Sequence, residues 1–387
     1  MRKDPTKKLK TISPDRIILN RDGTVIYFSA YRDTLKRLNG RAKDENGNRI
    51  VCRHLAYYML MAGQTKEAEK QLGRVEDISG IASLQTNHFD KNRIKFTRAD
   101  YRYFPINKLG NTIKSIAENL TDSQHTAHWF IASRNHLMAM TIRKNQNGHY
   151  LVKFYDPNIT NAHLRIVCQN RDELAKLQLK NVLPTNCVDE YFNDQANMTI
   201  YSLEKLNSDS PSVTIDPSIS LSLGLNFLLY YGLPIKAHIN SLINEIKSQS
   251  QDADKAVQLL TVKDESGDPG LFLPMYQGHA DTVKAYIDGI LNLLKQESLT
   301  ADQAIQLLAA KDERDNPGLY WALSEGHADT VKAYMDGILN LLQEKPLNAD
   351  QAIQLLAAKD ETGCPGLFVA LKEGHTDTVK AYIDSIL

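Results

Sequence analysis

The chain lacks a long apolar run. Its longest, residues 219–235, is interrupted by Ser220, Ser222, Gly224, Asn226 and Gly232, which excludes a bilayer span and predicts a buried helix instead. Asp216 is its expected N-cap, Pro217 its first helical position, and Gly232 with Pro234 its stop. An excess of either charge is also missing. With 46 basic and 46 acidic side chains the formal charge is zero, so no global field draws the molecule to nucleic acid or into an anionic membrane. Cysteine is scarce: Cys52, Cys168, Cys187 and Cys364 show no close pairing, against a disulfide framework or zinc ribbon and in favour of a reducing compartment. A Gly-rich phosphate loop of the Walker or dinucleotide type is absent, and no cofactor is expected. His125 and His128 have helical i, i+3 spacing but no third ligand, so they are expected to be structural and no metal site is expected.

What is present fits two domains. A length of 387 residues exceeds the usual single domain, and 42% hydrophobic with 24% charged residues is ordinary globular composition. The run Met1 to Lys10 is basic and polar and has no apolar core of the kind a Sec signal peptide needs.

The first domain carries candidate chemistry. A polar turn, Asp44 to Asn48, leads into Cys52 and then an apolar stripe of Leu55, Met59, Leu60 and Ala62 at helical spacing. Cys52 therefore falls in a first helical turn, where free N–H groups and the helix dipole favour thiolate, as does the cationic neighbour Arg53. His54, two positions on, points away from Cys52 on a helix and is expected to pack or hydrogen-bond locally. Downstream, residues 136–143 and 150–156 are β-rich runs joined by Asn145-Gln146-Asn147-Gly148, the pattern of a hairpin. Such a hairpin sets the start of its first strand beside the end of its second, making neighbours of His136 and Asp156. Each residue alone has an ordinary reading: a buried thiol, a strand-edge histidine, a turn-capping aspartate before Pro157. Their chain order of Cys, His, Asp matches a papain-type hydrolase, with a thiol nucleophile, an imidazole base and an orienting carboxylate. The oxyanion hole is expected to use the Cys52 N–H and one side-chain donor, for which Asn48 is a candidate by proximity.

The second domain is a repeat array. Leu307 to Asp312 recurs at Leu355 to Asp360 and, with Thr261 and Val262 replacing two alanines, at Leu259 to Asp264, a period of 48. In each unit a Pro-Gly-Leu opens one helix, at 269, 317 and 365, and a Gly-His opens the next, at 278, 326 and 374. That is the ankyrin pattern, lengthened by a longer second helix and an extra amphipathic one, residues 301–310, capped by Thr300. Lys236-Ala237 keeps the spacing of Lys284-Ala285, so residues 216–246 read as a degenerate first copy. His279, His327 and His375 are expected to hold the Gly turns by hydrogen bonds.

The stretches RIVCRHL (49–55), NHLMA (135–139) and YDPNITNAHLR (155–165) resemble the EspL/OspD family, also called the Shigella enterotoxin-2 family, of type III-secreted effectors. The resemblance implies an α+β fold class: a papain-like cysteine protease domain followed by an all-α ankyrin-like repeat solenoid. The expected divisions are a flexible export segment at 1–20, the protease domain at 21–212 and the repeats at 213–387. It implies Cys52 as nucleophile, His136 as general base and Asp156 as third member. It further implies type III secretion into the host cytoplasm, without membrane insertion and without nucleic acid as a partner, and with a secretion chaperone as one. The implied substrates are host necroptosis and inflammation proteins that carry the RHIM motif. Two other readings stand beside it: a non-catalytic repeat protein that binds a host partner, and a deamidase, deubiquitinase or acyltransferase using the same thiol.

Overall fold

The computed structural model describes residues 16–19, 25–30, 39–43, 47–62, 99–121, 125–133, 136–158, 162–183, 185–192, 197–202, 212–248, 253–261, 263, 269–344 and 346–386. They form two compact units, 1–218 and 219–387. Both sheet and helices are present, so the fold class is α+β.

The first unit is built on a nine-stranded sheet. Its strands are β1 (Arg16–Leu19), β2 (Val25–Ala30), β3 (Tyr101–Pro105), β4 (Thr126–Ser133), β5 (His136–Lys144), β6 (Tyr150–Tyr155), β7 (Ala162–Cys168), β8 (Asn197–Ser202) and β9 (Val213–Ile215). They lie in the order β1-β2-β7-β6-β5-β4-β8-β3-β9, antiparallel throughout except for the parallel pair β3 and β9. Strand β1 falls inside the 1–20 segment expected to be a tail; residues 1–15 and 20 of that segment lie outside the described residues. Strand β9 carries the first unit past residue 212, to Ser218.

Central strand β5 reads His-Leu-Met-Ala-Met-Thr-Ile and is buried from 136 to 142, so both sheet faces are covered there. Alternation divides its neighbours. Trp129, Met140 and Ile142 join a core with Leu109, Ile113 and Ile116 of the helix Leu109–Glu118. Phe130 stacks instead on Tyr57 of the helix α1 (Cys52–Ala62), which packs against β5. The β5–β6 turn is closed by Gly148, whose φ of 80° suits the left-handed conformation, and by Asn145, whose side-chain oxygen accepts from the N–H groups of Asn147 and His149. This turn fixes the register Ala139 opposite Tyr155 and so determines what meets at the far end of the hairpin.

The second unit is helical. In order its helices are Leu221–Tyr230, Lys236–Ser248, Ala253–Leu260, Phe272–Gln277, Ala280–Lys295, Ala301–Ala309, Gly318–Ser324, Ala328–Gln343, Ala349–Leu356, Gly366–Lys372 and Thr376–Ile386. The apolar run starts later than its sequence pattern predicts. Ser220, not Asp216, is the N-cap, accepting from the Leu223 N–H. Asp216 is held instead by the Lys108 ammonium at 2.6 Å and by Ser218, whose N–H and hydroxyl both donate to it. Burial works against that carboxylate, but these partners outweigh it and hold its pKa at about 2. Thr300 caps its helix in a reciprocal capping box with Gln303, as Asn348 does with Gln351 one unit later.

Each long helix sends one tyrosine back to close the extra helix before it. Tyr286, Tyr334 and Tyr382 donate to the carbonyls of Leu260, Leu308 and Leu356. The repeated histidines reach backwards as well. His327 Nε2 bonds the carbonyl of Tyr276 at 2.9 Å and His375 Nε2 that of Ser324 at 3.1 Å, each ring lying on the Gly turn of the preceding unit. Gly278 and Gly326 have φ of 82° and 77°, and a Cβ on either would meet that ring.

No helix among the described residues is long and apolar enough to cross a membrane.

Candidate active site

Cys52 is the first residue of α1, where the helix has no acidic side chain in its first turn to oppose a thiolate. His136 opens β5, and Asp156 follows the last residue of β6. The hairpin brings the latter two together: His136 Nε2 lies 2.6 Å from Asp156 Oδ1, both groups buried. The Cys52 thiol is the third group, interacting with the same imidazole. The structure thus gathers the three residues that chain order singled out, from the start of one helix and the far ends of two strands.

The electrostatics of the three are linked. Burial is the largest influence on His136 and disfavours its charged form. The charge and hydrogen bond of Asp156, with the hydrogen bond and charge of Cys52, outweigh it and push the imidazole up to about 9. For Cys52 the largest influence is again burial, which raises the thiol. The His136 hydrogen bond and charge, then the backbone N–H groups of Leu137 and Arg53, reverse that and leave it below its ordinary value. The pair thus shifts towards a thiolate beside an imidazolium. His136 Nε2 is committed to Asp156, which leaves the buried Nδ1 as the nitrogen for the sulfur. Such a site can deliver a nucleophilic sulfur and a proton to opposite ends of a breaking acyl bond.

Three residues that sequence reasoning missed complete the surroundings. Asn39 Oδ1 accepts the Cys52 backbone N–H at 2.9 Å. Asn158 donates its N–H to Asp156 Oδ1 at 2.8 Å, and the Tyr191 hydroxyl donates to Asp156 Oδ2 at 3.0 Å. The Tyr191 ring also lies against His136, with centroids 4.5 Å apart. Asn158 was reachable in sequence, since an Asp-Pro-Asn turn commonly folds its own N–H groups onto the aspartate. Asn39 and Tyr191 carry no local signal of their part.

Other sequence candidates stand elsewhere. Asn48 is exposed, on the strip that leads to α1. His54 is buried and its Nδ1 accepts the Val51 N–H at 3.2 Å, a local bond at the helix start. His125 and His128 sit at the edge of β4 and within it, not on a helix. Three positions along a strand place side chains on opposite faces, so the spacing that suggests a shared ligand set on a helix separates them here. Among the described residues no group of three or more His, Cys, Asp or Glu side chains forms a metal cradle.

A family model described as ShET2 enterotoxin, N-terminal region, matches residues 8–264. The effector protease OspD3 of Shigella flexneri is 30% identical over 283 residues, covering 66% of this chain and 46% of that protein. The chain thus spans less than half the length of this curated relative. Among solved structures, the yeast ribosomal protein Rps3 with its chaperone Yar1 matches at a TM-score of 0.28 and 18% identity, over 42% of this chain and 91% of that one. A likeness that low carries no argument.

Proposed function

Because the chain belongs to the EspL/OspD, or ShET2 enterotoxin, family, we propose that it is a secreted effector cysteine protease whose nucleophile is Cys52. The observation that carries this reading is the buried 2.6 Å contact of His136 with Asp156, on an imidazole that also holds the Cys52 thiol. In the proposed reaction the Cys52 thiolate attacks a peptide carbonyl and forms a C–S bond. The C–N bond breaks as His136 gives its proton to the leaving amine. Neutral His136 then takes a proton from water, whose oxygen attacks the thioester; the acid product leaves and the thiolate returns. Asp156 keeps the imidazole ring in one orientation and supports its positive charge. The Cys52 N–H is the backbone donor for the developing oxyanion, which must displace Asn39 Oδ1 to reach it. Asn48 is the second donor the sequence suggests.

The finer assignments belong to the same proposal. The first unit is read as a papain-like protease domain, with the repeats as an ankyrin-like solenoid that recruits substrate. The substrates are host signalling proteins, those with RHIM motifs foremost, reached in the host cytoplasm after type III secretion. Host-cell lysates treated with wild-type or Cys52→Ala protein test the reading through their peptide termini. New termini that appear only with wild type support proteolysis. Intact targets carrying a small mass change point to deamidation or acyl transfer, and an undiminished cellular effect of Cys52→Ala favours a binding protein.

A further inference from the structure

We propose that Asn158 and Tyr191 are positioning residues for the Cys52, His136 and Asp156 site, joined through Asn39 in a hydrogen-bonded circuit that returns to the nucleophile's own backbone. The proposal rests on the thiol-protease reading above and names residues that act through Asp156.

The circuit has one consistent set of donors. The Cys52 backbone N–H can only donate, so the Asn39 atom 2.9 Å away is its oxygen. The Asn39 Nδ2 must then face Asn158, whose Oδ1 accepts it at 3.1 Å. That leaves Asn158 Nδ2 to donate to the Tyr191 hydroxyl at 2.7 Å. The hydroxyl, already accepting, has one proton to give, and Asp156 Oδ2 takes it at 3.0 Å. On the other carboxylate oxygen, Asn158 N–H and His136 Nε2 arrive at 2.8 and 2.6 Å. The imidazole leads back to the Cys52 sulfur. The backbone repeats the tie, since Asn39 N–H donates to the Pro157 carbonyl at 3.2 Å.

A carboxylate held by a single histidine is free to turn about its last bond. Here donors on both oxygens fix its plane, and with it the direction of Nε2 and the side on which Nδ1 is presented. His136, Asp156, Asn158 and Tyr191 are all at most 7% exposed, so water has little room to replace a lost partner. Loss of the Tyr191 hydroxyl frees Asp156 Oδ2 and deprives Asn158 Nδ2 of its acceptor at once, while the ring that packs on His136 stays.

The test is the pH dependence of iodoacetamide alkylation at Cys52, read by peptide mass in the full chain. Wild type, Tyr191→Phe, Asp156→Asn and the double variant are compared. Tyr191→Phe is expected to move the His136 limb down by about one pH unit and so to lower the alkylation rate at pH 8 by about twofold. In the Asp156→Asn background the same change is expected to do nothing further, because its route to the imidazole is already cut. An unchanged profile in Tyr191→Phe, or an equal effect in both backgrounds, overturns the proposal. Asn158→Ala follows the same scheme should Tyr191→Phe fail to fold. A wild-type Cys52 that reacts only as pH rises through 9 overturns the thiolate reading itself, and the positioning roles fall with it.

Discussion

Replacing His136 with alanine removes the group that holds Cys52 as a thiolate, and the size of the effect follows from the site. Burial alone raises the Cys52 thiol above its ordinary 9.0, and the histidine is the largest influence acting against it. Without the imidazole, burial is opposed only by the backbone N–H groups of Leu137 and Arg53, and the thiol's pKa rises. The thiolate fraction at pH 7 falls with that rise, so the Cys52 alkylation rate there should drop in His136→Ala, by about tenfold for each unit of the rise. The assay must resolve the site, because Cys364 is half-exposed and reacts on its own account, whereas Cys168 is buried. Quenching at timed intervals and quantifying the peptide that contains Cys52 does this. The variant's rate profile should be displaced to higher pH than the wild type's. Similar profiles for the two proteins would falsify the coupling between thiol and imidazole, and would leave Cys52 as a structural thiol.

Three further predictions concern stability. The folded His136 is raised from 6.5 to about 9, so its contribution is fully present below pH 6.5 and is lost as pH rises through about 9. In a Cys52→Ala background, where the thiol does not titrate, the gap in denaturant stability between Asp156 and Asp156→Asn should narrow by about 2 kcal/mol from pH 6 to 9.5; a constant gap refutes the ion pair. Tyr334→Phe strands the Leu308 carbonyl in a buried site and should cost about 1 kcal/mol in urea unfolding of the repeats, more than Tyr382→Phe, whose ring is only half-buried. Gly326→Ala combines a φ of 77° with a Cβ 2.7 Å from His375, whereas Gly363→Ala combines a φ of 85° with open space. The first should cost about 2–3 kcal/mol and the second about 1 by thermal unfolding, and equal losses would mean the His375 ring is not packed on that turn.

The part of the site legible in sequence is the part that local rules place. A helix start at Cys52 follows from a polar turn running into an apolar stripe, and the adjacency of His136 and Asp156 follows from an Asn/Gly turn between two β-rich runs. The repeat unit was legible for a similar reason: a period of 48 states the same local structure several times over, with caps such as Thr300 in view. Where local rules misled, a competing geometry held. Asp216 precedes Pro217 as a helix cap would, yet its carboxylate is drawn to Lys108, 108 positions earlier, and the cap passes to Ser220.

Asn39 and Tyr191 show why the remainder was hidden. Asn39 meets Asn158 across 119 positions, and Tyr191 meets Asp156 across 35; neither separation matches a helical turn, a strand pair or a hairpin loop. Both residue types are common and polar, and nothing in their neighbours marks Tyr191 as buried or Asn39 as half-buried. Their contacts exist because β5, β6 and α1 come together at one end of the sheet, which leaves several polar groups without water and obliges them to satisfy one another. Proximity in sequence singles out Asn48, which is exposed, whereas the side chain that accepts the Cys52 N–H belongs to Asn39, 13 positions before Cys52. A candidate nucleophile is therefore recognisable from its helix, whereas the groups that settle its charge and its hydrogen bonds are set by whichever distant segments the sheet brings to that end.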